Sequence, residues 1–276
     1  MEKIRLDVLL KQNGMFESRE KARTAILSGQ VFVGGVNVND PAKKIDPEHI
    51  GEIKIDADAN KYVSRGAYKL ECAIENFHLD VKGKIATDIG SSTGGFSDVL
   101  LQNGIEKIYC IDTGRDQLHP KIRYSGKVEV YEETDFRTID AELVRDSDIV
   151  VIDVSFISIE SIVEKLQQVF HGKHVQVVSL IKPQFECGKE IAKKYKGVIK
   201  DKKVHADVIH RVLGFWTKCG FYIDGVVKSP IKGGDGNIEY LLLTDNYSHT
   251  TGKIDIDRLV TNAFDEKINW NIYITW

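Results

Sequence analysis

Apolar residues in the first sixty positions change period twice. In RLDVLLKQNG, Leu6, Leu9 and Leu10 recur at helical spacing, and the pattern stops at Gly14, a residue that tolerates positive φ. A second helical pattern, SREKARTAILSG, starts from Ser18, whose hydroxyl suits an N-cap, and runs to Gly29. QVFVGGVNVND then alternates apolar and polar residues about Gly34-Gly35, which predicts a hairpin. Two short helices and a small β unit form an α+β module spanning 1–59.

After a short linker at 60–64 the rhythm changes. SRGAYKLECAIENF predicts an amphipathic helix, and seven strand candidates follow: KIATDIG, KIYCIDTG, VEVYEE, DIVVIDVS, VQVVSLIK, FYIDGVV and NIEYLLL. Helical stretches such as FSDVLLQNG, ISIESIVEKLQQVF and KKVHADVIHRVLGFWTKCG lie between them. That alternation predicts a doubly wound α/β domain over 65–245 with a mostly parallel sheet. The last two strands have no helical pattern between them, so they are expected to form an antiparallel hairpin at one edge. Residues 246–276 hold one helical stretch, IDIDRLVTNAF, and a tail, INWNIYITW, that the pattern leaves unassigned.

The 276-residue composition, 42% hydrophobic and 29% charged, is that of a soluble globular chain. A net charge of -3 argues against a uniformly basic nucleic-acid binder but leaves room for basic patches. Two are visible: Arg19, Lys21 and Arg23 on the second helix, and the lysine-rich stretch from Lys189 to Lys203. The four cysteines are scattered, with neither a C-x-x-C pair nor histidines at metal-ligand spacing, so a zinc site and a disulfide framework are not expected. Charges interrupt the amino-terminal stretch, and no window approaches the roughly eighteen apolar residues of a membrane span. A cytoplasmic protein with free thiols and no membrane partner is expected.

Candidate chemistry clusters where strands run out. The first α/β strand ends in DIGSSTGGFSD, a glycine turn feeding a helix, where Gly90, Ser91, Gly94, Gly95 and Phe96 are candidate cofactor contacts. The spacing is not G-x-G-x-x-G, which disfavours a dinucleotide pyrophosphate. Acids follow three consecutive strands: Asp88, Asp112 and Asp135. That set suits S-adenosylmethionine, with Asp88 near the methionine amine, Asp112 on the ribose hydroxyls and Asp135 at the adenine amino group.

SLIKPQFE presents a different oddity, since an apolar strand delivers Lys182 and then Pro183, which ends any ladder. Taken alone, Lys182 is the first solvated residue past a strand end. It has company, however. Lys69 lies on the helix before the first α/β strand, Asp153 ends DIVVID, and Glu239 begins NIEYLLL. Asp153 and Lys182 close strands expected to be neighbours, so their side chains can meet over the crevice. His119, His205 and His210 have no recurrent partner and are expected to be solvated or packed.

Three resemblances follow from these stretches. Arg5-Leu6-Asp7 with Leu10, Ser18-Arg19 with Ala22, and Gly29 with Val31 and Val33 resemble the S-four-type RNA-binding domain. The set of Lys69, Asp153, Lys182 and Glu239 resembles the catalytic tetrad of FtsJ-like ribose methyltransferases. SRGAYKL, DIGSSTGGFSD, IYCIDTG, DIVVIDVSFIS, SLIKPQFE and GNIEYLLL, in that order behind the small module, resemble the hemolysin A (TlyA) family. The resemblance implies S-adenosylmethionine-dependent 2′-O-methylation of ribosomal RNA on a Rossmann-like methyltransferase domain. It also implies that Lys182 activates the ribose hydroxyl.

A lysine of ordinary pKa, about 10.4, is almost wholly protonated near neutrality and needs a downward shift of roughly three units to act as a base. A charged lysine that holds and polarises the hydroxyl needs none, and the sequence leaves both roles open. Ribosomal RNA or a ribosomal subunit is the expected partner, with Arg5, Arg19, Lys21, Arg23, Arg65, Lys193, Lys194 and Lys196 as candidate phosphate contacts. A non-catalytic RNA-binding or assembly factor on the same fold is the alternative, discriminated by methyl incorporation. Membrane lysis and small-molecule chemistry find less support in the pattern.

Overall fold

The computed structural model describes residues 3–27, 30–34, 36–38, 40–55, 61–247, 252–265 and 274–275, so Gly29, Gly35, the start of the predicted linker and most of the tail lie outside it. The chain divides into two compact units, Met1–Gly66 and Ala67–Trp276.

In the first unit, β1 (Ile4–Arg5) leads into α1 (Leu6–Gln12), followed by α2 (Arg19–Leu27) and β2 (Val31–Val33). β3 (Val36–Asn37), β4 (Lys44–Ile45) and β5 (Ile53–Ile55) complete it. The predicted hairpin is β2–β3, with Val33 opposite Val36, and β5 extends it on the other side of β2. Leu6, Leu9 and Leu10 of α1 share one core with Ala22, Ala25 and Ile26 of α2, as their helical spacing requires. Ser18 caps α2 by accepting the Lys21 amide at 3.1 Å.

In the second unit, α3 (Ala67–Phe77), β6 (Ile85–Ile89), α4 (Gly95–Gln102) and β7 (Lys107–Ile111) come first. The short α5 (Pro120–Arg123), β8 (Val128–Tyr131), β9 (Ile149–Ile152), α6 (Glu160–Val169) and β10 (Gln176–Ile181) follow. Next are α7 (Pro183–Glu186), α8 (Lys189–Lys194), α9 (Lys202–Lys218), β11 (Tyr222–Lys228) and β12 (Tyr240–Asp245). β13 (Lys253–Ile254), α10 (Ile256–Ala263) and β14 (Ile274–Thr275) close the unit.

All seven strands expected from the apolar runs form one sheet in the order β11-β12-β10-β9-β6-β7-β8. β10, β9, β6, β7 and β8 are parallel, and β12 runs antiparallel to both β10 and β11, which makes the expected edge hairpin. The central strand β9 is apolar on both faces and fully buried, and its Val150 and Ile152 pack with Ile162, Val163 and Leu166 of α6.

One local detail differs from the sequence reading and one adds to it. The closing strand starts at Tyr240, one residue beyond Glu239, whose carbonyl takes the Ser229 amide at 2.8 Å while its side chain turns into the interior. The lysine-rich stretch contains a helix, α8, whose charges face solvent.

Candidate active site

One reversal of strand order places the site. β6 is flanked by β7 on one side and β9 on the other, so the sheet grows in opposite directions from this strand and a crevice opens at the carboxyl ends. A cavity of about 370 Å³ lies there. Its wall takes Gly90 and Ser92 from the β6 turn, Asp112 and Gln117 after β7, Asp135 and Arg137 after β8, and residues 153–157 after β9. Gly90 has φ +80°, and a Cβ on it would stand 2.8 Å from the Asp153 carbonyl, so side-chain-free backbone is required where the two loops touch.

Asp112 accepts the Ser92 amide at 2.8 Å on Oδ2 and the Gly114 amide at 2.7 Å on Oδ1. Each oxygen retains a lone pair, which suits a pair of ribose hydroxyls. Asp135 caps the turn at Phe136 and is gripped by Arg137, with Nε 2.9 Å from Oδ1 and Nη2 2.5 Å from Oδ2. That side-chain pairing holds Asp135 below the usual carboxylate range.

Asp88 is buried beneath the glycine turn, where Oδ2 accepts the Ser97 hydroxyl at 2.6 Å and Oδ1 has no partner among the described residues. Burial, reinforced by the charges of Asp153 and Asp112 and opposed by Ser97, pushes its pKa up to about 7.

Of the five cofactor contacts expected from the glycine turn and the start of its helix, four are absent from the cavity wall: Ser91, Gly94, Gly95 and Phe96. The turn folds back after Gly90, with the Gly94 amide donating to the Ser91 carbonyl at 2.7 Å. Gly94, φ +89°, sits against Leu118, which a Cβ would meet at 2.9 Å. Phe96 is a buried packing residue of α4. Asp88 is also absent from the wall, lying just behind it. Ser92, Gln117 and Arg137 face the cavity instead and were not anticipated, because spacing alone does not tell which half of a turn faces a crevice.

Lys182, Asp153, Lys69 and Glu239 form one continuous chain of ion pairs. Lys182 Nζ lies 2.6 Å from Asp153 Oδ1, and Lys69 Nζ bridges Asp153 Oδ2 at 3.0 Å and Glu239 Oε2 at 2.9 Å. Both lysine side chains are 8% exposed and Glu239 3%, whereas Asp153 at 20% reaches the cavity. Burial pulls the Lys69 amine down, but Asp153 and Glu239 outweigh it and hold it above the ordinary lysine value. Burial likewise pushes Asp153 up, and the Lys69 and Lys182 charges outweigh it and hold it low. Lys69 is therefore a cation and Asp153 an anion near neutrality.

The short helix after β10 organises the rest. Pro183 ends the strand and starts α7, with Lys182 as its N-cap residue. Lys182 Nζ also donates to Ser155 Oγ at 2.9 Å. Gln184 Nε2 donates to Glu239 Oε1 at 2.9 Å. Glu186, buried, takes the Ile159 amide at 2.7 Å and the Ser158 hydroxyl at 2.9 Å, which ties the β9 loop to α7. Phe185 packs on Phe156, ring centroids 5.0 Å apart, and Phe156 is 87% exposed with φ +67°. Such a conformation in a bulky residue is sterically strained and is held here by the anchored loop.

The basic candidates fall into two groups. In the first unit Arg5 and Arg19 hold the buried Asp7, with Arg5 Nε 3.0 Å from Oδ1 and Arg19 Nε 2.9 Å from Oδ2. Burial pushes Asp7 up, but these arginines outweigh it and keep its carboxyl low. Both are thus structural clamps whose outer N–H groups still face water. Lys21 pairs with Glu17 on the surface, Arg23 is exposed, and Arg65 donates to the Leu27 carbonyl at 3.1 Å. Lys193, Lys194 and Lys196 are all exposed around α8 in the second unit.

His205 is packed, with Nδ1 2.9 Å from the Tyr240 hydroxyl and Nε2 3.1 Å from the Ile199 carbonyl; His119 caps α5 and His210 is exposed. Among the described residues no cluster of three His, Cys, Asp or Glu side chains is placed to hold a metal ion, and no helix is long and apolar enough to cross a membrane.

The chemistry of the wall fits S-adenosylmethionine. The cavity is of small-ligand size, the paired acceptors of Asp112 suit ribose, and the orphaned Asp88 oxygen behind Gly90 suits an ammonium.

Comparison with known proteins agrees with this geometry. The model of the FtsJ-like methyltransferase family matches residues 62–246, and that of the S4 domain matches residues 4–50. A candidate rRNA methyltransferase of Bacillus subtilis, YqxC, is 44% identical, covering 87% of this chain and 85% of its own. The 23S rRNA (cytidine-2′-O)-methyltransferase TlyA of Campylobacter jejuni is 35% identical, covering 78% of this chain and 87% of its own. Among solved structures, a candidate hemolysin from Streptococcus thermophilus superposes with a TM-score of 0.74 at 37% identity, covering 96% of this chain and 97% of that one.

Proposed function

The chain belongs to the FtsJ-like methyltransferase family, and on that premise we propose that it methylates ribose 2′-hydroxyls of ribosomal RNA with S-adenosylmethionine as donor. The observation that carries this reading is the Lys182–Asp153–Lys69–Glu239 chain of ion pairs, which reaches the cavity through Asp153. The likeness to the Campylobacter enzyme supports a cytidine as the nucleoside.

Held in the crevice, S-adenosylmethionine would supply an electrophilic sulfonium methyl for the ribose oxygen, the sulfur keeping the bonding pair, and the hydroxyl proton would pass to a neutral Lys182 amine or to water. The residues supply position and proton handling. Asp112 holds ribose hydroxyls of the donor, Asp88 offers its unpartnered oxygen to the amine, and Asp135 with Arg137 borders the adenine end.

Lys182 meets the substrate hydroxyl. Two of its three tetrahedral positions are directed to Asp153 and Ser155, and the third is left for the hydroxyl. That third position carries a lone pair in the neutral amine and an N–H in the charged one, so either proton acceptance or orientation is served by one geometry. Lys69 and Glu239 act through Asp153: sealed from solvent, they fix its carboxylate and balance the local charge. The S4 module and the exposed Lys193, Lys194 and Lys196 serve the RNA backbone.

The test is incubation of the protein with methyl-labelled S-adenosylmethionine and ribosomal subunits, followed by mapping of alkali-resistant riboses. Incorporation at a ribose 2′-oxygen is expected. Tight binding to subunits with no incorporation would instead identify an RNA-binding assembly factor.

A further inference from the structure

Both oxygens of Glu239 are hydrogen-bonded, and a third neighbour closes on the carboxylate. Oε2 receives Lys69 and Oε1 receives the Gln184 side-chain amide, each at 2.9 Å. Gly233 closes the third side, since a Cβ there would stand 2.5 Å from Glu239 Oε1. The carboxylate is 3% exposed, so it reaches no substrate directly. Gln184 is two residues beyond Lys182, on the helix that Lys182 caps. A neutral donor at 184 therefore occupies the one Glu239 oxygen that Lys69 leaves open, while Lys182 keeps a single carboxylate partner, Asp153.

We infer that Gln184 is a positioning residue for methyl transfer: its neutral amide commits Glu239 to Lys69 and keeps the negative charge beside Lys182 to one carboxylate. The inference rests on the reading of Lys182 as the group that meets the ribose hydroxyl. Its chemical content is a charge count. An acidic side chain at 184 adds a third carboxylate to a cluster built for two, and an apolar one releases Glu239 Oε1 inside a buried site. In both cases the protonated state of the cluster gains stability, whichever protonation state of Lys182 the reaction uses.

The experiment compares single-turnover methylation of ribosomal subunits as a function of pH for the wild type, Gln184→Glu, Gln184→Met and Lys182→Ala, with S-adenosylmethionine affinity and melting temperature measured for each. Gln184→Glu is expected to move the limb of the pH–rate profile that reports the cluster upward by about one unit or more. Gln184→Met is expected to lower the rate about tenfold or more, with the limb moved in the same direction. Cofactor affinity stays within about twofold in both, as expected for groups outside the cavity wall.

Profiles superimposable on the wild type, with rates within twofold, overturn the inference. If Gln184→Glu does not fold, Gln184→Met, which keeps the volume, decides by the same two readings. An inactive wild type or an active Lys182→Ala removes the underlying reading instead. Active wild type, inactive Lys182→Ala and unaltered Gln184 variants remove this inference alone.

Discussion

Lys182 Nζ and Asp153 Oδ1 stand 2.6 Å apart across the ends of two adjacent parallel strands. Parallel neighbours end at the same edge, so an amine closing one and a carboxylate closing the other are brought together by topology rather than by a flexible loop. The proline after Lys182 fixes the point at which β10 becomes α7, which turns the amine inward instead of into solvent.

Removing that amine is expected to lower methyl transfer by at least about a hundredfold while leaving S-adenosylmethionine affinity within about twofold, because Lys182→Ala deletes the group proposed to meet the ribose oxygen and none of the cavity wall. Lys182→Arg separates the two roles left open for the side chain. Arginine cannot give up its proton, so substantial turnover in that variant identifies a charged orienter, and none is expected if the amine must be neutral. Near-normal turnover in Lys182→Ala rules the residue out of the reaction.

Gly90 offers a test of the cofactor crevice that does not touch chemistry. Its φ of +80° and the 2.8 Å approach of an added Cβ to the Asp153 carbonyl make Gly90→Ala a strained substitution. It is expected to lower stability by about 1–3 kcal/mol and to weaken S-adenosylmethionine binding at least about tenfold, through displacement of the β9 loop. Calorimetric titration and thermal melting check both; unaltered affinity would show that the ligand does not lie between these loops.

Asp88 predicts a pH dependence of cofactor binding. Burial raises its pKa to about 7, so on folding it gains stability as the neutral acid, fully present below the unfolded value near 3.8 and lost as pH rises through 7. A cationic amine placed beside it favours the carboxylate, so binding releases a proton at pH values below about 7 and tightens as pH rises towards it. Affinity is expected to rise by up to about tenfold per pH unit between pH 5.5 and 7 and then level off. Titration in buffers of different ionisation heat reads the proton directly, and Asp88→Asn should flatten the curve. An equally steep curve in that variant assigns the proton elsewhere.

The larger part of the α/β unit was legible because most strands are rich in β-branched and aliphatic residues and each long helix carries an apolar stripe. Lys69, Asp153, Lys182 and Glu239 stood out as charges at the borders of such runs. Ser155, Gln184 and Glu186 did not, since each works through partners distant in sequence, and nothing in local periodicity records those pairings. The glycine turn shows another limit: its composition marked a close approach, yet only the structure separates Gly90, which faces the cavity, from Gly94, which faces Leu118. A missed signal lay in α1, where Asp7 shares a helix face with the buried Leu10, three residues on, and therefore needed the cations found beside it.

Asp7 gives the last prediction, one that separates folding from RNA binding in the first unit. Arg19 is half exposed, yet its Nε lies 2.9 Å from a carboxylate that is 2% exposed. Arg19→Ala leaves that buried charge with Arg5 alone, so a loss of stability of about 1–3 kcal/mol is expected, larger than for an ordinary surface ion pair. Arg23, exposed on the same helix, has no such duty, and Arg23→Gln is expected to leave the melting temperature unchanged. Its effect should appear in the salt dependence of RNA binding, where each lost phosphate contact reduces the slope of log affinity against log salt by about 0.7–0.9. Denaturant melts and binding titrations at several salt concentrations measure the two effects independently. An unchanged slope in Arg23→Gln would take the RNA contact off this residue, because a phosphate-binding cation cannot be removed without losing its counterion term.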